Sequence, residues 1–464
     1  MDKSGDYNKN YFVKYIHFII GIALFIGVRL FEVSAFDTSA LGLALWMVYW
    51  WIVQPVPLYV TALLPIAVGV PFELIPNDVL AQSYGNQMIF LFLGGFILAL
   101  GIEKWKLHEQ IAFSILRLFG RTPKRILGGF MFSTALLSMW ISNTATTLMM
   151  LPIAMSVIQA IPSFKEKRLF SVGLLLSIAF SANIGGTATL IGTPPNIQMA
   201  GILEQEFNLS ISFFEWFMIG TPFMIIMMVL TYITVKFYFI KNASFKMDKI
   251  EPQKLDPNQK RVLYLFLTVV ALWMSRTFLN DYMPIVINDT VIALSGAILL
   301  FIFPSTEKRP LLLWDDLDKL PWGILFLFGG GMALAAILAE ANIVSFLVDI
   351  MKPLANFPVI ILLLVIFTVA LFATELMSNL ALVSLLIPLI GKFAIELDLP
   401  LLGISAGVAL SASCAFMLPV ATPPNAIIYS SNLIQIKDMV RYGFLLNLIA
   451  SVVVTGVIYV LFFI

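Results

Sequence analysis

The sequence predicts an all-α polytopic membrane protein with eleven transmembrane helices and two re-entrant hairpins, arranged as two inverted repeats. Of its 464 residues, 60% are hydrophobic and 12% are charged, whereas soluble domains carry about 25% charged residues. Apolar stretches of membrane-spanning length recur along the whole chain. Two polar cassettes, one centred on Ser-Asn and one on Thr-Pro-Pro-Asn, each occur twice within those stretches. A sizeable soluble domain is therefore excluded.

The expected spans are apolar stretches close to 20 residues long, the length at which a helix crosses a bilayer. They lie at about 14–33, 38–53, 56–75, 87–105, 169–203, 213–240, 262–278, 286–303, 322–340, 400–435 and 440–464. Two further stretches, at about 126–160 and 356–391, are too long for one span and too short for two. Each has a Ser-Asn pair near its middle, so we interpret each as a hairpin that enters the membrane and returns. An amphipathic run from Lys106 to about Phe119 is expected to lie along the interface.

The distribution of basic residues supports this topology, because cytoplasmic loops are enriched in Lys and Arg. Treating both long stretches as hairpins places the N-terminus in the cytoplasm and the C-terminus outside. Of the 28 Lys and Arg residues, 24 then lie on the cytoplasmic side, and the exceptions are Arg29, Arg276, Lys352 and Lys392.

The two halves of the chain share sequence at a near-constant displacement. The Phe-Leu-Phe-Leu-Gly-Gly run at 90–95 resembles Leu-Phe-Leu-Phe-Gly-Gly at 325–330, displaced by 235 positions; the Ser-Asn pairs are displaced by 236 and the Pro-Pro pairs by 229. Five spans separate the hairpins, an odd number, so the second hairpin opens on the opposite face and the repeats are inverted. The expected organisation is an N-terminal segment with the first span (1–35), repeat 1 (36–241), a basic cytoplasmic linker (242–261) and repeat 2 (262–464).

Prolines interrupt two of the expected spans. A proline removes a backbone donor and clashes with the preceding turn, so the Thr-Pro-Pro runs at 193–195 and 422–424 should unwind the helices at about 169–203 and 400–435. Unwinding frees carbonyl oxygens that coordinate small cations. It also leaves helix N-termini whose unpaired N–H groups favour anions.

The four cassette segments carry one charged side chain. No Lys or Arg occurs between Arg125 and Lys165, Arg168 and Lys236, Lys352 and Lys392, or Lys392 and Lys437. An anion bound at the cassettes must therefore be neutralised by bound cations and helix dipoles. The one acid is Glu375, which we expect to satisfy backbone groups of its hairpin. A hard cation such as sodium suits hydroxyl, amide and carbonyl oxygens, which indicates cation-coupled anion transport.

Other classes of site and function fit the sequence less well. A single Ser-Asn-Thr is more often interhelical hydrogen bonding and a single Pro-Pro is more often a kink, but their duplication at matched spacing favours a site. His17 and His108 lie far from the cassettes, which argues against a histidine metal site. No His, Asp pair or Ser-Lys pair stands near the cassettes, so we expect no enzyme. A channel is an alternative, although inverted hairpins suit alternating access, and a net charge of +1 gives no indication of a nucleic-acid partner.

At these cassettes the sequence resembles the divalent anion:sodium symporter family, which includes the sodium-dependent dicarboxylate transporters. The resemblance covers nearly the whole chain and is most specific at 181–186, which leads into Gly-Thr-Pro-Pro-Asn at 192–196, and at 413–425. The tip sequence Ser-Asn-Thr at 142–144 is the family's best known signature. The resemblance implies a homodimer in which each protomer has a scaffold domain and a transport domain. The transport domain would move as an elevator and carry a dicarboxylate with sodium.

The family's site residues carry over by matching position. The resemblance implies a first sodium site made by Ser138, Ser142, Asn143 and the carbonyl of Gly192. It implies a second sodium site made by Thr374, Asn379 and the carbonyls of Met377 and Ala421. It implies that substrate carboxylates meet Asn143, Thr144, Thr193, Pro194, Ser378, Asn379 and Pro423. No organic cofactor is expected.

The second tip departs from the family's pattern, because it reads Ser378-Asn379-Leu380 where the fuller signature has Ser-Asn-Thr. Leu380 has no hydroxyl to donate to a carboxylate, and losing one such bond weakens binding by about 1–3 kcal/mol if the partner stays buried. The expected activity is sodium-coupled symport of C4-dicarboxylates such as succinate, malate and fumarate across the cytoplasmic membrane. The alternatives are sodium-independent dicarboxylate exchange, and transport of a tricarboxylate such as citrate or of sulfate.

Overall fold

The computed structural model describes residues 3–31, 33–161, 164–240, 245, 254–282 and 286–464. Over these residues the chain is helical, and the one β feature is an isolated bridge between Pro304 and Pro310. Seven of the described helices are long and apolar enough to cross a membrane, and five shorter apolar helices accompany them. The predicted all-α class with many apolar spans is confirmed. Most of the predicted linker, at 242–244 and 246–253, lies outside the described residues.

The α-helices follow one another in two comparable series. Those of the first half are α1 (Lys3–Arg29), α2 (Thr38–Val53), α3 (Leu58–Thr61), α4 (Asn77–Tyr84), α5 (Gln87–Lys104), α6 (Leu107–Phe119), α7 (Pro123–Ser138), α8 (Asn143–Gln159), α9 (Phe164–Gly186), α10 (Pro194–Phe207) and α11 (Phe213–Phe239). Those of the second half are α12 (Pro257–Tyr282), α13 (Asp289–Ile302), α14 (Trp322–Glu340), α15 (Ile343–Met351), α16 (Val359–Ala373), α17 (Asn379–Glu396), α18 (Leu401–Ala412), α19 (Pro423–Tyr429) and α20 (Ile436–Phe463). Short 3-10 helices lie at Trp314–Lys319 and Lys352–Asn356.

Helices α5 to α11 correspond in order to helices α14 to α20. The first members of the two series start 235 residues apart, and the next three pairs of helices start 236 residues apart. Even the backbone before the second pair matches, because Lys106 (φ 53°) precedes α6 and Asn342 (φ 59°) precedes α15, both in the left-handed region. A left-handed non-glycine residue costs about 1–2 kcal/mol, so the same uncommon turn at both positions supports the correspondence of the two series. Helix α6 coincides with the predicted amphipathic run, whereas α15 was not predicted.

The glycine pairs of the repeat allow helices to approach closely. A Cβ at Gly94 would lie 2.7 Å from the Cβ of Ala293, where α5 packs on α13. A Cβ at Gly329 would lie 2.4 Å from the ring of Tyr84, where α14 packs on α4. The glycine pair thus permits close helix packing in both repeats, but against a different helix in each.

The stretch at 56–75, predicted as a regular span, is irregular. It consists of the four-residue helix α3 followed by a π-helical turn over Pro65–Gly69. The reason is Pro65, which has no N–H to donate to the preceding turn. In a regular helix an N–H at position 65 would donate to the carbonyl of Thr61, so that bond is missing. Nearby, the carbonyl of Ala62 accepts from the hydroxyl of Tyr84.

Candidate functional site

Four helices begin at the cassettes. Helices α8 and α17 start at the Asn of each Ser-Asn pair, and helices α10 and α19 start at the first Pro of each Pro-Pro pair. Pro is favoured at the first helical position because an N–H there would be unpaired anyway. Ser142 Oγ accepts from the N–H of Ala145 at 3.2 Å, and Thr422 Oγ1 accepts from the N–H of Asn425 at 3.4 Å. Other first-turn N–H groups lack intrahelical acceptors, so each start presents the positive end of a helix dipole.

The hydroxyl of Ser138 lies at the centre of the first hairpin tip. It is buried and reaches two acceptors, Oδ1 of Asn143 and the carbonyl of Ala182, the latter at 2.8 Å. A hydroxyl carries a single hydrogen, so it donates to one of the two at a time. The tip therefore gathers a hydroxyl, an amide and a backbone carbonyl oxygen.

The break between α9 and α10 places another carbonyl beside this tip. A Cβ at Gly186 would lie 2.7 Å from Oδ1 of Asn143 and 2.9 Å from the carbonyl oxygen of Gly192. Nδ2 of Asn196 donates to the carbonyls of Thr189 at 2.8 Å and of Gly186 at 3.3 Å. Asn196 thereby holds the unwound segment folded. The structure thus brings together Ser138, Asn143 and Gly192 of the predicted first sodium site, while the Ser142 hydroxyl caps α8.

The second hairpin tip repeats this geometry. The buried hydroxyl of Thr374 reaches Oδ1 of Asn379 at 2.6 Å and the carbonyl of Ala412 at 2.8 Å. Thr374 stands 236 positions after Ser138, as Asn379 does after Asn143. A β-branched alcohol thus does in one repeat what serine does in the other.

The second break is also held by an asparagine. Nδ2 of Asn425 donates to the carbonyls of Ala415 and Leu418, both at 3.0 Å. These contacts parallel those of Asn196, which lies 229 positions earlier. In the described structure, outside the helix interiors, no backbone N–H donates to the carbonyl of Ala421 or of Gly192. Both carbonyls are therefore left with free lone pairs.

Glu375 joins the second tip to the second break. Its carboxylate accepts from the backbone N–H groups of Phe416 at 2.7 Å, Met417 at 2.9 Å and Leu418 at 3.1 Å, and from Nδ2 of Asn447 at 2.8 Å. All four partners are donors, which matches the acceptor-only character of an ionised carboxylate. Glu375 thus satisfies backbone groups, as expected, but they are those of the second break and not those of its own hairpin. The first repeat has Met139 at the corresponding position.

The two repeats exchange halves of their broken helices. Helix α19 packs on α8 and α9 of the first repeat, and helix α10 packs on α17 and α18 of the second. Asn183 on α9 donates through Nδ2 to Thr422 Oγ1 and to the carbonyl of Ala415, both at 3.1 Å. Gln198 on α10 donates to Ser384 on α17 at 3.0 Å. Each cassette is therefore positioned by both repeats.

The residues predicted to bind substrate or sodium differ in exposure. Gly192 and Thr193 are buried; Ser142, Asn143, Thr144, Pro194, Ser378, Asn379, Met377 and Ala421 are half-buried, and Pro423 is exposed. Leu380 is 6% exposed, so it packs into the interior while Thr144, its counterpart, is more open. No group of three or more His, Cys, Asp or Glu gathers anywhere in the described part of the chain. The donor set at the tips is thus hydroxyl, amide and carbonyl oxygen, the ligands that hard cations prefer.

Three residues that contribute to the site were not predicted as site residues from the sequence. Ala182 and Ala412 contribute backbone carbonyls, and Asn183 contributes the amide that bridges the repeats. Backbone carbonyls leave no signal in residue type. The run at 181–186 did mark the region, since it was one of the segments most similar to the family.

Comparison with known proteins agrees with that resemblance. A family model described as a citrate transporter matches residues 48–403. The sodium-dependent dicarboxylate transporter SdcS of Staphylococcus saprophyticus is 36% identical over 98% of this chain and 92% of its own length. SdcS of Staphylococcus aureus strain USA300 is also 36% identical, over 96% of this chain and 90% of its own. The chain belongs to the divalent anion:sodium symporter family.

The fold of this family member also resembles a solved transporter. The YdaH transporter of Alcanivorax borkumensis superimposes with a TM-score of 0.57 and 14% sequence identity, covering 83% of this chain and 90% of that one. At that identity the likeness concerns the fold alone. Family, relatives and apolar helices together identify a multi-pass membrane transporter, in agreement with the expectation that the chain is not an enzyme.

Proposed function

We propose that this symporter-family member carries C4-dicarboxylates such as succinate, malate and fumarate, together with sodium, across the cytoplasmic membrane. The observation that carries the proposal is the pair of matched oxygen clusters at Ser138–Asn143 and Thr374–Asn379, each beside a broken helix. Two relatives at 36% identity, which are named sodium-dependent dicarboxylate transporters, support it.

At each tip, rotation of one hydroxyl group frees oxygen atoms that can bind sodium. When Ser138 donates to the carbonyl of Ala182, its lone pairs and Oδ1 of Asn143 become free to face a cation. Thr374 has the same choice between Asn379 and the carbonyl of Ala412. The first site would then hold sodium with Ser138, Ser142, Asn143 and the carbonyl of Gly192. The second would hold it with Thr374, Asn379 and the carbonyls of Met377 and Ala421.

The dianion is stabilised by helix starts and by the bound cations. Carboxylates favour the unpaired N–H groups at a helix N-terminus, and four helices begin at the cassettes. No Lys or Arg lies in the cassette segments, and an uncompensated buried charge is costly. Sodium must therefore arrive with the substrate. The proposed substrate contacts are Asn143, Thr144, Thr193, Pro194, Ser378, Asn379 and Pro423.

The proposed transport motion is that of an elevator. The two hairpins and the two broken helices would move as one transport domain against a scaffold, within a homodimer in the lipid bilayer. Support comes from the exchanged packing of α10 and α19, which ties the cassettes of both repeats into one unit. We retain eleven spans, a cytoplasmic N-terminus and an external C-terminus, with repeats at 36–241 and 262–464.

Citrate is a second candidate substrate. The matched family model is described as a citrate transporter, and the second tip has Leu380 where the fuller signature has Thr. A tip with one hydroxyl donor fewer is expected to have a different preference among carboxylates. Sodium-independent exchange in the same fold remains the rival mechanism.

Counter-flow tests whether the chain is a carrier. Liposomes holding the purified protein are loaded with unlabelled succinate, and transient accumulation of external labelled succinate is followed. A carrier gives accumulation above equilibrium, because one site carries both substrates in turn. Equilibration without overshoot contradicts the proposal and indicates a channel.

A further inference from the structure

An apolar groove of about 630 Å³ runs between α12 and α13, on the outside of the molecule. Its walls include Tyr264, Thr268, Val291, Ser295, Leu299 and Phe303. Its floor is closed where α13 meets α12, since a Cβ at Gly296 would lie 2.4 Å from the side chain of Val269. None of these residues belongs to the cassettes.

The groove opens toward the bilayer. Only 22% of the most apolar stretch of α12 is buried within the protein. Tyr264 on α12 is 66% exposed and Val291 on α13 is 49% exposed. An exposed apolar surface of this kind in a membrane protein is covered by lipid chains or by another protein surface.

A basic cluster stands at one end of the groove. Arg261 donates from Nη1 to the carbonyl of Pro304, which leaves most of its five N–H donors available. The turn that starts at Pro304 packs on the start of α12, because Asn258 and Thr306 exchange two hydrogen bonds of 2.8 Å. That arrangement places the exposed Lys260 and Lys308 close by, together with Arg309, whose charge is paired with Glu307.

The acids in these two segments are already engaged. Oδ1 of Asp256 caps α12 by accepting from the N–H groups of Asn258 and Gln259. Glu307 pairs with Arg309. In the described structure Arg261 forms no ion pair. The two segments carry four basic residues against these two acids, so the mouth of the groove has a net positive charge.

The depth of the groove corresponds to one leaflet. It extends along α12 from Arg261 to Leu272, which is about 16 Å at 1.5 Å per residue. The hydrocarbon core of a bilayer is about 30 Å thick, so half of it has nearly the same depth. In the topology of the proposed function, the basic end lies at the cytoplasmic leaflet, where anionic lipids are found.

We propose that this groove binds an anionic phospholipid, with the phosphate at Arg261 and one acyl chain between α12 and α13. The positive charge at the mouth of the groove and the length of the groove favour this occupant. A neutral lipid matches the apolar walls but not the basic mouth, and free phosphate matches the mouth but not the walls. The planar guanidinium suits a phosphate through paired N–H donors.

Native mass spectrometry of the delipidated protein tests the proposal without any transport assay, so its failure is distinct from failure of the proposed function. The protein is mixed with phosphatidylglycerol, with phosphatidylcholine of the same chains, or with inorganic phosphate. We expect phosphatidylglycerol to be retained about fivefold more than phosphatidylcholine, and Arg261→Gln to remove that preference. Ser295→Trp fills the groove and should lower retention of both lipids. Arg309→Gln, whose side chain is paired with Glu307, is the matched control and should retain the preference.

Three results would overturn the proposal. The first is equal retention of the two lipids by the unaltered protein. The second is binding of inorganic phosphate at Arg261 in both the unaltered protein and Ser295→Trp, together with lipid retention that neither Arg261→Gln nor Ser295→Trp changes. The third is dissociation of an oligomer by Ser295→Trp with lipid retention unaltered, which makes the groove a contact between copies of the chain. Size-exclusion profiles and thermal unfolding establish that each variant is folded.

Discussion

The hydroxyl of Ser138 lies within hydrogen-bonding distance of Oδ1 of Asn143, five residues further along, and Thr374 repeats that contact with Asn379 at 2.6 Å. Each hydroxyl also reaches a backbone carbonyl of the following broken helix, at 2.8 Å in both cases. When the hydroxyl hydrogen turns from the Asn Oδ1 to the backbone carbonyl, the oxygens of each cluster become free to bind a cation. The proposed coupling of substrate to sodium depends on these two switches.

Removing either hydroxyl should weaken sodium binding selectively. A hydrogen bond or ligand contact to a charged group contributes about 1.5–3 kcal/mol, so Ser138→Ala and Thr374→Val should each raise the half-saturating sodium concentration about tenfold or more. The chain supplies its own controls, because the first repeat has serine and the second has threonine at equivalent positions. Ser138→Thr and Thr374→Ser should therefore keep sodium dependence. Unchanged sodium curves in the first two variants would remove these hydroxyls from the sites.

A methyl group at Gly186 should disable the first cluster. The added Cβ would stand 2.7 Å from Oδ1 of Asn143 and 2.9 Å from the Gly192 carbonyl oxygen, too close for any ordinary contact. Gly186→Ala should thus abolish sodium-dependent uptake while the protein remains folded. Gly456→Ala in α20 is the control, since nothing lies within 4 Å of its added Cβ. Normal uptake by Gly186→Ala would show that the first cluster is not a required site.

Replacing Glu375 by Gln should destabilise the second break. The amide has one acceptor oxygen where the carboxylate has two, so at least one buried donor among Phe416, Met417, Leu418 and Asn447 loses its partner. Leaving a buried donor unpaired costs about 1–3 kcal/mol. We expect a lower unfolding temperature in detergent and a higher half-saturating sodium concentration. Glu307→Gln, at an exposed ion pair, should change neither.

Leu380→Thr should shift substrate preference among di- and tricarboxylates, because it restores a hydroxyl donor beside Asn379. The expected change in competition by citrate relative to succinate is about tenfold or less, the value of one hydrogen bond. Since Leu380 is buried, some loss of packing accompanies the change. Leu382→Thr, at another buried position of α17, controls for that loss. An unchanged competition profile would show that this position does not face substrate.

The sequence predicted where helices break but not what holds the breaks together. Prolines and N-cap residues leave a signal in residue type, so the starts of α10 and α19 follow from local chemistry. Helix α15 was missed because its apolar residues run on almost directly from the span before it, and hydropathy does not separate the two. The bond from Asn183 to Thr422 joins positions 239 apart. That contact depends on how one repeat packs on the other, which no local pattern encodes.

Uptake of radiolabelled succinate into liposomes holding the purified protein tests the central claim most directly. An inward sodium gradient is compared with an equal potassium gradient, with no dicarboxylate inside, and Asn143→Ala and Asn379→Ala are assayed beside the unaltered chain. We predict sodium-dependent accumulation that both substitutions abolish without loss of the folded protein. Uptake that appears only after preloading with dicarboxylate, regardless of sodium, would contradict symport. It would make the protein an exchanger and leave the Ser-Asn tips as anion-binding elements alone.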